Sequence, residues 1–346
     1  MIGASGYHVH KEAHMLAMWG KALRTIPRLS PEEWQSLDII SRWLIASRAA
    51  VLVMTGTSAT IAGLWAWRDG MFDWVLWLCL FVGLTMAHAT NNLLNDLIDY
   101  RTGVDHNNYF RAQYGPQPLV HGLLNQRGLL LYAAITGLLA LIPGAYLVWL
   151  RGELAFYLLL AGAGFVIFYT WPLKYIGMGE VAVLLVWGPL MVGGGYYVIT
   201  GQWSWNAVLI SLPQTLAATT VLFGKHIDKM PSDKASKIYT LPVILGDPGA
   251  RYVAIGLFVA EYAIVVALML TGIVSGWMAI VGLAIPAAVT AMMIFTKPRP
   301  HEPPADYPKD VWPLWYSPYA FVHTRTFGLL FLVALIAEAL WQRIMA

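Results

Sequence analysis

Nine stretches of this chain are each about twenty residues long and almost wholly apolar: 43–66, 73–95, 128–150, 153–171, 179–200, 204–224, 251–272, 274–296 and 326–344. Runs of that length match a helix crossing the hydrocarbon core of a bilayer. There the backbone can satisfy its hydrogen bonds only as helix or closed barrel, and runs this continuous do not resemble alternating barrel strands. The expected fold class is therefore an all-α polytopic membrane protein with nine transmembrane helices. Composition agrees, since only 12% of residues are charged, against roughly 25% in soluble domains. No polar interval is long enough for a second domain. The division expected is a cytoplasmic N-terminal extension at 1–41 and a nine-helix domain at 42–346. A formal net charge of +3 argues against a nucleic-acid partner. Cys79 is the single cysteine, so no disulfide framework or cysteine metal site is available. The first forty residues lack the short apolar core of a cleavable signal. Within them, "PEEWQSLDIIS" at 31–41 reads as an interfacial helix with Pro and acids in its first turn.

Lysine and arginine orient the spans. With the N-terminus inside, 18 of these residues fall in inner segments, while Arg68, Arg151 and Arg343 fall in outer ones. A missed or false span would scramble this alternation, so nine spans with N-terminus in and C-terminus out are expected. The inner loops are the long ones, which places the chemistry on the cytoplasmic face. The Pro-rich stretch 297–318 reads as a linker, and the three histidines of "GYHVHKEAH" as a solvated tail. Arg48 falls within the first expected span, where a charge is a functional candidate, although it lies near enough to the inner interface to snorkel.

Against that background "NNLLNDLIDYRTGVD", Asn91 to Asp105, is anomalous. Asp96 and Asp99 share one helix face, with Asn92 and Asn95 one turn earlier. Asp105 follows Gly103, where the helix can end and the chain fold back. Carboxylates at a helix C-terminus oppose its dipole and need a positive partner. An oxygen-only set suits Mg²⁺. A second acidic set follows the sixth span: Asp228 and Asp233, interleaved with Lys225, Lys229, Lys234 and Lys237. Two carboxylate groups on one membrane face, with lysines around them, meet the needs of a diphosphate: carboxylates hold Mg²⁺, and Mg²⁺ and ammonium groups neutralise phosphate oxygens.

These residues resemble a known family. "NNLLNDLIDYRTGVD" is similar to the first aspartate-rich motif of the UbiA family of intramembrane prenyltransferases. Its form N-D-x-x-D-x-x-x-G-x-D resembles the branch acting on 1,4-dihydroxy-2-naphthoate in menaquinone synthesis. "DKASKIYTLPVILG" looks like the end of the family's second motif, and "FYTWPLKYIGMGE" like its Tyr-Thr-x-x-Pro-Leu-Lys segment. The resemblance covers roughly residues 42–345. The second motif departs from the family's D-x-x-x-D: here the spacing is Asp228-x-x-x-x-Asp233. Counting back from Thr240, Asp233 falls on the second aspartate and Lys229 on the first.

The resemblance implies helices around a central cavity and transfer of a prenyl group from a prenyl diphosphate to a lipophilic acceptor. Asp96 and Asp99, with Asn92 or Asn95 and with Asp105 nearby, would hold one Mg²⁺. Asp233 with Asp228 would hold another. Lys174, Lys225, Lys229 and Lys234 are candidates for the phosphates, and Arg48 and Arg101 for substrate contact. Tyr169, Tyr196 and Tyr197 could offer π faces to an allylic cation. Glu180 could orient Lys174 or cap a helix, and His88 and His226 could carry protons or serve structure. Other readings remain: the same fold acting on haem, a phosphosugar or a lipid alcohol, a cation or lipid transporter, or a subunit with a dead site.

Overall fold

The computed structural model describes residues 15–104, 115, 117–309 and 311–345. All regular elements among the described residues are helical. The first three are short: α1 (15–24), α2 (Pro31–Ser36) and α3 (Ile39–Ala46). The interfacial helix expected over 31–41 is thus two helices. Ser30 and Glu33 form a reciprocal capping box at the start of α2. Leu37 and Asp38 are extended, and the Asp38 carboxylate accepts from Ile40 N and Ser41 N to start α3. The first expected span, 43–66, is broken as well. Arg48 adopts a left-handed conformation (φ 56°) between α3 and a short 3₁₀ turn. Left-handed backbone is uncommon for a residue with a Cβ. The apolar helix α4 then runs over Val53–Arg68.

Several helices are longer than a bilayer is thick, and two of them carry the acidic clusters. α5 (Trp74–Arg101) has 28 residues, about 42 Å at about 1.5 Å per residue, against roughly 30 Å of hydrocarbon. Its last turns carry Asn92 to Asp99. α6 (Gln126–Arg151) and α7 (Glu153–Phe168) are joined through Gly152 alone, whose φ of 74° turns the chain back sharply. α8 (Gly179–Thr200) contains a π-helical stretch at Val186–Gly193. α9 (Trp205–Ala235) has 31 residues, about 46 Å, and carries Asp228 and Asp233 in its last turns.

The last three helices are α10 (Leu241–Leu270), α11 (Gly276–Phe295) and α12 (Tyr316–Met345). α10 bends at Gly246, whose φ of 73° is not helical. α10 and α12 each begin about ten residues before the expected spans at 251 and 326. Their early polar groups are satisfied internally: Arg251 pairs with Asp247 at 2.9 Å and donates to Phe295 O, and Thr324 donates to Ala217 O.

Among the described residues eight helices are long and apolar enough to cross a membrane. The stretch expected at 153–171 is the exception, since α7 has only 16 residues, about 24 Å. Hydrogen bonds gather the helix ends at two poles. At one pole the Tyr196 hydroxyl donates to Asp69 (2.8 Å), Arg151 donates to Val198 O and Ile199 O, and Ser275 N donates to Glu338. The other pole carries the acidic residues. A hydrophobic core around Ile61, Trp65, Ile210, Phe327 and Phe331 lies between helices α4, α9 and α12.

Candidate active site

At the acidic pole three carboxylates each have their own cation. Asp96 is paired with the Arg48 guanidinium. Both Asp99 oxygens accept from Lys174 Nζ, at 2.8 and 3.0 Å. Asp233 Oδ1 lies 3.2 Å from Lys229 Nζ, one turn earlier on α9. None of the six is more than 7% exposed. Charges this far from water are tolerated only when paired.

Local structure places each partner. The left-handed backbone at Arg48 interrupts the chain where α3 gives way to α4, and the side chain meets α5 there. The Ser47 carbonyl beside it accepts from Asn92 Nδ2 at 2.9 Å. Lys174 stands on a 3₁₀ turn, Leu173–Ile176, between α7 and α8. Burial acts to lower its pKa, but the Asp99 carboxylate, and then Asp233, hold it above its ordinary 10.5. A raised value means the ammonium persists throughout the neutral range, and the pair is lost only when pH climbs through that raised value. The same side chain is within electrostatic reach of Asp233, though its bonds go to Asp99.

Asp228 has a different environment from the metal-ligating one expected of it. Its Oδ1 accepts from Trp315 N and Tyr316 N, and its Oδ2 from Ser317 N and Ser317 Oγ, all at 2.8–3.0 Å. A carboxylate offers about four lone-pair sites, and these bonds fill them. Asp228 therefore caps the start of α12. Gly224 permits the approach: a Cβ there would lie 2.8 Å from Ser317 N. The backbone carbonyl of Asp228 also accepts from Arg299, which holds Pro313 O as well. The Pro-rich stretch after α11 is thereby tied to the acidic pole.

A cavity of about 1070 Å³ opens beside these pairs, at the upper end of the size of small-molecule sites. Its polar lining includes Arg48, Asn91, Asn92, Asn95, Tyr169 and Lys225. The remainder is chiefly apolar or small, from α5, α6, α7 and the π-helical part of α8, including Trp187. π-Helical turns often occur at functional sites. His88 also lines it, hydrogen-bonded to Thr55 Oγ1 at 2.8 Å and edge-on to Trp187. Asp96, Asp99, Lys174, Lys229 and Asp233 stand behind this lining rather than in it.

Other expected residues lie elsewhere. Arg101 is exposed and bonded to Gln126 (3.0 Å), Lys234 is exposed, and Tyr196 and Tyr197 are at the opposite pole. Asp105 lies outside the described residues, as do the N-terminal histidines. Glu180 does not touch Lys174 in any described bond. Instead it lies 2.5 Å from His226 Nδ1 and accepts from Leu241 N, tying α8 to α9 and α10. Lys21, Arg24 and Arg28 contribute to the cavity lining, which their place in a polar N-terminal stretch gave no reason to expect.

For a divalent cation, the end of α5 offers oxygen donors in one place, which fits a hard ion. Asp233 Oδ2 is buried and, among the described residues, has no hydrogen-bond partner. Among the described residues, no three His, Cys, Asp or Glu side chains already stand together as a metal-ligand group. The carboxylates are held by cations instead.

Residues 57–309 match the sequence model of the UbiA prenyltransferase family. The 1,4-dihydroxy-2-naphthoate octaprenyltransferase of Mycobacterium leprae is 29% identical over 253 residues, covering 70% of this chain and 79% of its own. The UbiA prenyltransferase domain-containing protein 1 of Danio rerio is 27% identical over 235 residues, covering 65% and 68%. Among solved structures, the apo UbiA homolog from Aeropyrum pernix K1 has a TM-score of 0.62 at 14% identity, covering 83% of this chain and 98% of that one. The UbiA homolog from Archaeoglobus fulgidus bound to GPP and Mg²⁺ has a TM-score of 0.55 at 16% identity, covering 85% and 99%. At these identities the structural likeness speaks to fold.

Proposed function

This chain belongs to the UbiA prenyltransferase family and is a multi-pass membrane prenyltransferase, and from that premise we propose that it moves a prenyl group from a prenyl diphosphate onto an aromatic, quinone-precursor-like acceptor, in a Mg²⁺-dependent reaction inside the bilayer. The observation that carries this reading is the set of three buried carboxylate–cation pairs beside a large, mainly apolar cavity. A diphosphate needs positive charge to leave, and a prenyl chain needs an apolar channel.

Asp96 and Asp99, with Asn92 and Asn95, are the residues that would hold Mg²⁺, and Asp105 remains a candidate beside them. The ion's contribution is to withdraw charge from the diphosphate so that the allylic C–O bond can break. Arg48 and Lys225 line the cavity and would take the phosphate oxygens. Lys174 stands behind them and would supply positive charge through its link to Asp99. Tyr169 and Trp187 would present π faces toward the allylic carbon. The apolar walls keep water from a carbocation that would otherwise be hydrolysed. Arg101 and Lys234 are left without a role, and Asp228 is assigned to capping α12 rather than to metal.

The acceptor class rests on the naphthoate octaprenyltransferases among the relatives. Lipid extracts of cells lacking this chain should be missing one prenylated quinone, and the gene returned with Asp99→Asn should fail to restore it. An unchanged quinone profile, with another prenyl lipid lost, would transfer the same chemistry to a different acceptor.

The nine-span topology, N-terminus inside and acidic pole cytoplasmic, belongs to this proposal too. Its support is the Lys174–Asp99 bond. α6 carries the chain from the acidic pole to the Arg151 pole, and Lys174, just after α7, is back at 2.8 Å from Asp99. A crossing by α7, despite its length, accounts for that return. In a Cys79→Ser background, Thr271→Cys should react with an impermeant maleimide in intact cells. Lys237→Cys should react only after permeabilisation. Labelling of both from one side would refute the arrangement.

A further inference from the structure

We propose that Lys229 is a built-in counter-charge for Asp233, so that the second acidic cluster holds no metal ion and the chain works with a single divalent cation at the end of α5. The inference rests on the prenyl-transfer reading above for that one ion, and departs from it at the other cluster.

Three observations converge. First, the only other carboxylate of the second cluster is unavailable. Every lone-pair site of Asp228 is taken by Trp315, Tyr316 and Ser317, and the side chain is wholly buried. Freeing it for a metal would strip three backbone N–H groups at the start of α12 of their acceptor. Second, Asp233 is paired with a buried ammonium at 3.2 Å (side chains 7% and 2% exposed), as Asp96 and Asp99 are paired with cations, but it lacks the second available carboxylate and the asparagine amides that those two have beside them on α5. Lys229 occupies the position where the family resemblance expects the partner aspartate, so a ligand has been exchanged for a charge of the metal's sign. Third, Lys174, itself buried and bonded to Asp99, is near enough to feel the charge of Asp233. Among the described residues, a divalent ion placed there would have one free carboxylate oxygen, Oδ2, as its donor from this cluster, with the Lys229 and Lys174 ammonium groups nearby repelling it. Hard divalent ions take several oxygen ligands, so the donor set does not suit one.

The exchange preserves function in a simple way. Asp233 stays neutralised and in place, and Lys229 contributes a fixed positive charge near the diphosphate site whether or not metal is present. Asp233 Oδ2 remains open to a hydrogen-bond donor rather than to a cation.

Counting bound Mn²⁺ by electron paramagnetic resonance, on the purified full chain in nanodiscs with inorganic pyrophosphate, tests this. We expect one Mn²⁺ per wild-type chain and two in Lys229→Asp, which supplies the missing ligand. Two in wild type would overturn the inference, as would one in both proteins if Lys229→Asp is folded. The wild-type count stands on its own if the variant does not fold. Diphosphate release from geranyl diphosphate in the same preparation separates the two proposals. Release with two Mn²⁺ bound overturns this inference and leaves the reaction standing, while no release and no bound Mn²⁺ overturns both.

Discussion

Replacing Asp96 by alanine should lower prenyl transfer by about 10³-fold or more, roughly 4 kcal/mol of transition-state stabilisation. The carboxylate is 3% exposed and is paired with Arg48, which lines the cavity. Removing it takes away a metal donor and breaks a buried ion pair. The second effect alone costs stability, since breaking one partner of a buried pair is worth about 3–5 kcal/mol. Asp96→Asn separates the two. The amide keeps an oxygen for the guanidinium but not the charge, so it should be nearly as inactive as alanine and measurably more stable. Turnover and melting temperature, recorded together for both variants, check this. Full activity in Asp96→Ala would remove Asp96 from the metal site.

The second large effect is on stability. Asp228→Ala should destabilise the protein by about 3 kcal/mol or more, because four donors at the start of α12 lose their acceptor in a buried place. The folded fraction should keep most of its turnover, because Asp228 is a cap and not a ligand. Asp228→Asn, with one oxygen left, should fall between. Thermal unfolding in a fixed detergent, with turnover normalised to folded protein, checks the pair. A variant as stable as wild type but inactive would return Asp228 to the metal site.

The two aspartate clusters differ in how far they could be read in advance. The apolar runs locate the helices because about twenty such residues have one use in lipid. Their ends are harder to read. α10 and α12 start earlier than hydropathy suggests because Asp247, Arg251 and Thr324 find partners inside the bundle. Arg48 looked like a charge within a span, and only the backbone shows it at a break between helices. Among the three pairs, Lys229–Asp233 was legible from its i, i+4 spacing. Arg48–Asp96 and Lys174–Asp99 join residues 48 and 75 positions apart, which no local pattern encodes. Asp228 was grouped with Asp233 because both are acids five residues apart. Its actual partners come 87 to 89 positions later. Tyr196 and Tyr197 were plausible by residue type alone, and the length of α8 carries them to the opposite pole.

The most direct measurement of the central claim is label transfer by the purified chain in nanodiscs, supplied with radiolabelled prenyl diphosphate, an aromatic acceptor and Mg²⁺. The expected result is release of diphosphate and passage of the label into the acceptor, stopped by a chelator and restored by Mg²⁺. No diphosphate release with any chain length or acceptor tried, with Mg²⁺ present and the protein shown to be folded, would contradict it.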